Sequence, residues 1–193
     1  MLLADLTRLL LESPKDYLGT IFMELNLGKH FNGQFFTPSH ICEFMAEITI
    51  DDGFEKAISE KGYCSVAEPA CGSGAMVLGI VQCLKNRGYK QLGGKLYIEA
   101  TDIDPLCVSM AFIQLSLLGL SVKVIHGNSL TQEVFETWDS PNLQMANMTG
   151  YFNKKSFCCN LLILPKKELA SGGGYASITS SYNYFKRKIE CHI

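Results

Sequence analysis

Apolar residues change period several times along the chain, and those changes predict its elements. In the first twelve residues, MLLADLTRLLLE, Asp5, Arg8 and Glu12 recur at helical spacing among leucines, which predicts an amphipathic helix over 2–12. A second helix covers about 16–28, after a break at Pro14. Thr37 and Pro38 suit the N-cap and first turn of a third, running to about Ile50 and stopped by the Asp51–Gly53 loop. Short strand-like runs then alternate with helical patterns: strand Tyr63–Ala67, helix Ala75–Arg87, strand Leu96–Thr101, helix Leu106–Leu118, strand Val122–His126. This βαβαβ order predicts an α/β fold, a doubly wound and mainly parallel sheet with ligands at the carboxyl ends of its strands near the switch point. After about residue 131 the character changes, although Cys158–Pro165 (CCNLLILP) reads as one more buried strand. The expected organisation is an N-terminal helical segment over 1–32, a ligand-binding domain over 33–165 and an irregular extension over 166–193.

The turn from the first strand into its helix, Val66–Ala75 (VAEPACGSGA), carries the clearest chemistry. Gly72 and Gly74 let backbone approach a ligand without Cβ atoms in the way, Ser73 adds a hydroxyl, and the helix that follows presents free N–H donors. The dinucleotide fingerprint GxGxxG is absent, and Glu68 precedes the glycines instead of following about 20 residues later. Asp102, in TDIDP, ends the next strand, where a carboxylate can accept both hydroxyls of a ribose. The bland alternative is a helix cap, for which Asp104 is better placed. Asn128, in HGNSL, ends the third strand.

Upstream lies GQFFTP, Gly33–Pro38, and this element followed by EPACGSG resembles the N6-adenine DNA methyltransferases, specifically the modification subunits of type I restriction systems. The resemblance begins at DYLGTIFME, Asp16–Glu24, and continues to Leu130. It implies a Rossmann-like S-adenosyl-L-methionine (SAM)-dependent methyltransferase fold. Gln34, Phe35, Phe36, Thr37 and Pro38 would close over SAM; Glu68, standing for the usual Asp, with Pro69, Ala70, Cys71, Gly72, Ser73 and Gly74 would form the pocket floor. Asp102 with Ile103 would hold the ribose side, and Asn128 with Ser129 the adenine, Asn128 standing where an Asp is usual and still able to accept through its amide oxygen. Adjacent Phe35 and Phe36 also suit core and hinge packing, and only one can face a pocket on an extended backbone.

The family methylates adenine N6 with an NPPF or NPPY loop after the fourth strand, and neither motif, nor DPPY or SPPY, occurs here. The nearest candidate, Asn147 in QMANMTGYF, lacks both prolines and has its aromatic, Tyr151, one residue late, so it reads as a coincidence; Ser140–Pro141 is no better. The segment ILPKKELASGG resembles the VLPxGVLFxGG stretch after the family's catalytic strand. The implied function is SAM binding, with methyl transfer to adenine N6 in DNA if the chain is active. The alternative is a catalytically inactive SAM-binding accessory protein of a restriction-modification or mobile-element system. A methyltransferase for another acceptor and a nucleotide-binding oxidoreductase stay open, the latter disfavoured by the missing GxGxxG.

With 193 residues and 47% hydrophobic content the chain can bury one sizeable core. Its 17 basic and 19 acidic residues, net charge −2, supply no global attraction to DNA phosphate, so DNA is expected as partner through a local patch or a specificity-providing protein. Lys186–Lys188, among aromatics, is a conceivable contact and equally a solvated edge. The eight cysteines sit in apolar contexts such as ICEFMAEI and VQCLKN, and no CxxC occurs; buried thiols in a reducing cytoplasm are expected, with no disulfide framework and no metal site. No apolar stretch reaches the ~18 residues that span a membrane. His30, His40 and His126 receive no catalytic role.

Overall fold

The computed structural model describes residues 2–25, 37–50, 52–152 and 161–162. In chain order the elements are helices α1 (Leu2–Glu12), α2 (Tyr17–Glu24), α3 (Ser39–Thr49) and α4 (Asp52–Lys61), strand β1 (Cys64–Glu68), helix α5 (Ala75–Asn86), strand β2 (Leu96–Asp102), helix α6 (Pro105–Leu117), strands β3 (Ser121–Asn128) and β4 (Glu133–Asp139), helix α7 (Pro141–Thr149) and strand β5 (Leu161–Leu162). Among the described residues five strands form one sheet in the order β4-β3-β2-β1-β5. The β1–β2, β2–β3 and β1–β5 pairs are parallel, and among the described residues only β4 runs antiparallel, against β3. The chain therefore moves outward from β1 to β4 and returns to the other side of β1. That reversal is the switch point, where neighbouring connections diverge and leave a crevice at the carboxyl ends of the strands.

Alternation along the strands builds a core on each face. Cys64 and Val66, Leu96, Ile98 and Ala100, and Val122 and Val124 join the main core with Val77, Leu78, Ile80, Val81 and Leu84 of α5 and Val108, Ala111 and Leu115 of α6. On the opposite face Tyr97 meets Tyr63, Phe152 and Leu143 of α7, so helices cover both faces and the sheet is doubly wound. Leu10 of α1, Ala46 of α3 and Phe54 of α4 belong to the main core, so the N-terminal helices share one core with the sheet.

The βαβαβ reading holds to within about two residues at each end, and three elements are additions to it. α4 follows Ile50 almost at once, where the Asp51–Gly53 stop was expected to open a loop. β4 and α7 occupy a stretch to which the sequence reading assigns no element. Helix α3 begins one residue later than read: Pro38 is its N-cap, at φ −57° and ψ 142°, without a side-chain capping bond, and Thr37 lies outside. Of the expected buried strand over 158–165, only Leu161–Leu162 falls within the described residues, as β5 beside β1. Five cysteines, Cys42, Cys64, Cys71, Cys83 and Cys107, are buried free thiols.

Helices α3 and α5 touch at Gly79, where a Cβ would stand 2.7 Å from the backbone carbon and 2.8 Å from the carbonyl oxygen of Cys42. Alanine at a helix interior gains about 1 kcal/mol over glycine. Backbone atoms cannot yield as a side chain would, so overpacking, typically ~1–3 kcal/mol, outweighs that gain. Gly79→Ala is therefore expected to lower stability in urea denaturation, and an unchanged midpoint would show that α3 shifts freely on α5.

Candidate functional site

The turn between β1 and α5 takes its shape from two glycines and a set of backbone bonds. Gly72 at φ 54° and Gly74 at φ 96° adopt left-handed conformations that favour glycine. The Cys71 N–H donates to the carbonyl of Thr101 and the Gly74 N–H to that of Cys71, each at 2.8 Å, which pins the loop onto the end of β2. Gly74 is the N-cap of α5 and offers no side-chain cap, so the helix opens with amides that no side chain satisfies.

Parallel pairing sets Glu68 opposite Ala100, two residues before Asp102, so two carboxylates meet at the edge of the loop. Asp102 accepts the Gly72 N–H on Oδ2 at 2.7 Å and the Asp104 N–H on Oδ1 at 2.9 Å. Burial raises its pKa, against the lowering effect of those amide bonds. Asp104 caps α6, accepting the Leu106 N–H at 2.8 Å, the duty expected of it. Ile103, between them, is 57% exposed and presents an apolar surface beside Asp102.

Glu68 is buried, 2% exposed. Its Oε1 accepts the Ala70 N–H at 3.2 Å, while Oε2 has no hydrogen-bond partner. Burial, reinforced by Asp102 and opposed by the Ala70 bond, lifts its pKa from 4.5 to about 8. Burial likewise raises Cys71, and holds Cys42 up at about 12, so both thiols stay neutral and neither suits nucleophilic work.

Ser73 faces inward, wholly buried, and its hydroxyl donates to Asp16 Oδ2. Asp16 also accepts the Gly19 N–H at 2.8 Å, capping α2, and the Gln114 Nε2–H at 3.0 Å. Neither Asp16 nor Gln114 was singled out from the sequence. Asp16 carried a readable signal as a helix-capping acid, whereas Gln114, in the middle of an apolar helix, carried none.

At the third strand, the Asn128 amide oxygen accepts the N–H groups of Leu130 and Thr131, at 2.9 and 3.2 Å, and shapes the β3–β4 turn; Ser129 is half-buried beside it. Pro69 is half-buried and Ala70 exposed on the loop's outer side. Gln34, Phe35 and Phe36 lie outside the described residues. Thr37 and Pro38 are exposed at the start of α3, and Ser39 lines one small cleft with Asp16, Cys42, Ala75 and Gly79, so the end of the upstream motif and the start of α5 come together. Asn147 does not join the site. It is exposed in α7, with its amide 3.5 Å from Asp139, and α7 follows the end of β4 that pairs with the start of β3. That is the opposite end of the sheet from the glycine loop. Among the described residues no cluster of His, Cys, Asp or Glu suits a metal ion, and no helix is long and apolar enough to cross a membrane.

The sign of the Glu68 shift gives a stability prediction. Unfolded, Glu68 ionises near 4.5; folded, it keeps its proton to about 8. Between those values the native state holds a proton that the unfolded chain has released, so this residue's contribution is intact below 4.5 and is lost as pH rises through about 8. Glu68→Gln keeps the neutral shape and should melt higher than the parent at pH 8.5, by at least ~3 °C, with the difference vanishing near pH 4.5. Calorimetric melting of both proteins at the two pH values checks this, and a difference that does not change with pH would contradict it.

Comparison with known proteins adds three findings. Comparison with curated proteins finds no match. Among solved structures, a Listeria monocytogenes protein assigned provisionally to the class I S-adenosylmethionine-dependent methyltransferases is similar over 92% of this chain, at 16% identity and a TM-score of 0.42. The chain spans 61% of that protein's length. The family described as N-6 DNA Methylase matches residues 17–171, which take in every element from α2 to β5. The chain belongs to the N-6 DNA methylase family.

Proposed function

We propose that the chain binds S-adenosyl-L-methionine across the carboxyl ends of β1 and β2, and that adenine N6 in DNA is the methyl acceptor its family chemistry serves. The observation that carries this reading is the pairing of opposite preferences at one loop. The uncapped start of α5 favours an anion, while Oε2 of buried Glu68 has no hydrogen-bond partner, and an ammonium docked against it would supply one and draw the carboxyl into its ionised form. An amino-acid zwitterion, such as the methionine end of SAM, supplies both. A dinucleotide pyrophosphate would satisfy the helix, leave Glu68 without a partner and be repelled by Asp102.

The remaining residues fit the rest of the molecule. Asp102 stands at the end of β2, where its carboxylate, already bonded to the Gly72 and Asp104 amides, can also accept ribose hydroxyls. Ile103 offers its apolar surface to the base, and Thr37 and Pro38 are assigned to the cover of the cofactor by the family motif they end. When bound, SAM supplies an electrophilic methyl on a sulfonium; the chain's own work is to hold and orient it. Specificity for a DNA site falls to a partner protein, since a net charge of −2 gives no general grip on phosphate.

A second reading, a SAM-binding accessory protein without catalysis, is favoured by the place of Asn147. The sequence contains no NPPF or NPPY, and its nearest substitute sits in a helix at the far end of the sheet. The isolated chain is therefore expected to bind SAM and to leave DNA unmethylated. Incubation with mixed-sequence DNA and tritiated SAM tests this, and N6-methyladenine formed by the chain alone would overturn it. Titration calorimetry should show SAM binding and none of NAD; the reverse would sink the cofactor assignment. Asp102→Ala should cost roughly 2–4 kcal/mol of SAM affinity through lost charge-assisted bonds. Asp104→Ala should lower stability by about 1 kcal/mol through the lost cap, with affinity near that of the parent.

A further inference from the structure

We infer that Asp16 and Gln114 are positioning residues for the glycine loop, which makes α2 part of the cofactor site; the inference rests on the SAM reading above. Gln114 is wholly buried in α6 and uses both ends of its amide. Its Oε1 accepts the Leu18 N–H at 3.1 Å, and its Nε2 donates to Asp16 at 3.0 Å and to the Ser73 carbonyl at 2.9 Å. One side chain thus holds the first turn of α2 and the Ser73–Gly74 peptide, whose following residues open α5. Asp16 repeats the link from the other side, capping α2 and accepting the Ser73 hydroxyl.

Gly19 makes room for this knot. A Cβ there would stand 2.1 Å from Asp16 Oδ2 and 2.5 Å from Ser73 Oγ. Burying an Asp, a Ser and a Gln together is costly unless each is satisfied, and apolar residues of similar volume would pack α2 against α6 as well. What the polar version adds is orientation: hydrogen bonds with fixed directions allow one setting of the Ser73–Gly74 peptide. Rotation of that peptide would turn the α5 amides away from a bound carboxylate. Docking of α2 and binding of the cofactor are then linked, each favouring the other to the same extent.

The test uses the full chain and two measurements, SAM affinity by calorimetry and amide hydrogen exchange without ligand. Gln114→Ala should weaken SAM roughly tenfold or more and speed exchange at Ser73–Val77, while exchange in β2 and β3 stays as in the parent. Gly19→Ala should act the same way. Asp16→Asn keeps an oxygen for Gly19 and Gln114 and should bind SAM within about threefold of the parent, whereas Asp16→Ala should not. Should Gln114→Ala fail to melt cooperatively, Gln114→Met, which keeps volume without the amide, takes its place. Parental SAM affinity in the Gln114 variant, or an Asp16→Asn loss equal to that of Asp16→Ala, would overturn the inference. If the parent itself binds no SAM, the cofactor reading falls, and the exchange arm still decides: unchanged rates at Ser73–Val77 in the Gln114 variant would overturn the positioning role.

Discussion

The hydrogen bond from the Gly72 N–H to the Asp102 carboxylate joins the end of β1 to the end of β2, and the geometry of the ligand edge depends on it. Gly72 donates this bond from a left-handed turn at φ 54°, which glycine adopts without strain. The parallel register contributes the rest, placing Asp102 just beyond the last β1–β2 pair. The same carboxylate accepts the Asp104 amide and so fixes where α6 begins. One side chain thereby coordinates two strand ends and a helix start. Its charge is held in a partly buried place by backbone amides, which oppose the desolvation that raises its pKa.

Around that bond the helices are set by close approach. Gly79 lets the α3 backbone lie against α5, and the helix following the upstream motif is thereby anchored to the helix following the glycine loop. The start of α3, just after the upstream motif, and the start of α5, just after the glycine loop, become neighbours. Their relative position is a consequence of helix packing, with the small cleft at Ser39 and Ala75 as its visible trace.

The central βαβαβ unit was legible because its strands are buried on both faces and its helices are long and apolar, so period and length agreed. α4 was hidden by its start: Asp51–Gly53 reads as a stop, while Phe54, Ala57 and Ile58 give one short stripe. β4 is an edge strand, exposed over most of its length and irregular in register near His126–Gly127, so nothing imposed alternation on EVFETWD. α7 lacks an apolar stripe but carried a signature that could have been read, with Ser140 as N-cap, Pro141 in the first turn and Gly150 left-handed at the end. The glycine loop and Asp102 were visible as types in a pattern. The bond between Gln114 and Ser73 links residues 41 positions apart and leaves no local trace.

Electrostatics then constrains what can approach. The edge of the glycine loop carries Asp102, with Glu68 buried beside it and Asp16 beneath, and Glu133 of β4 lies at the same end of the sheet. A cofactor bearing an ammonium and a sulfonium is drawn to such a place, whereas a polyphosphate backbone is repelled from it. If a nucleic acid delivers its base here, its phosphates must be gripped elsewhere, by a basic surface that compensates for these acids. The charge pattern that suits the cofactor therefore makes a second, cationic element a physical requirement of the DNA reading.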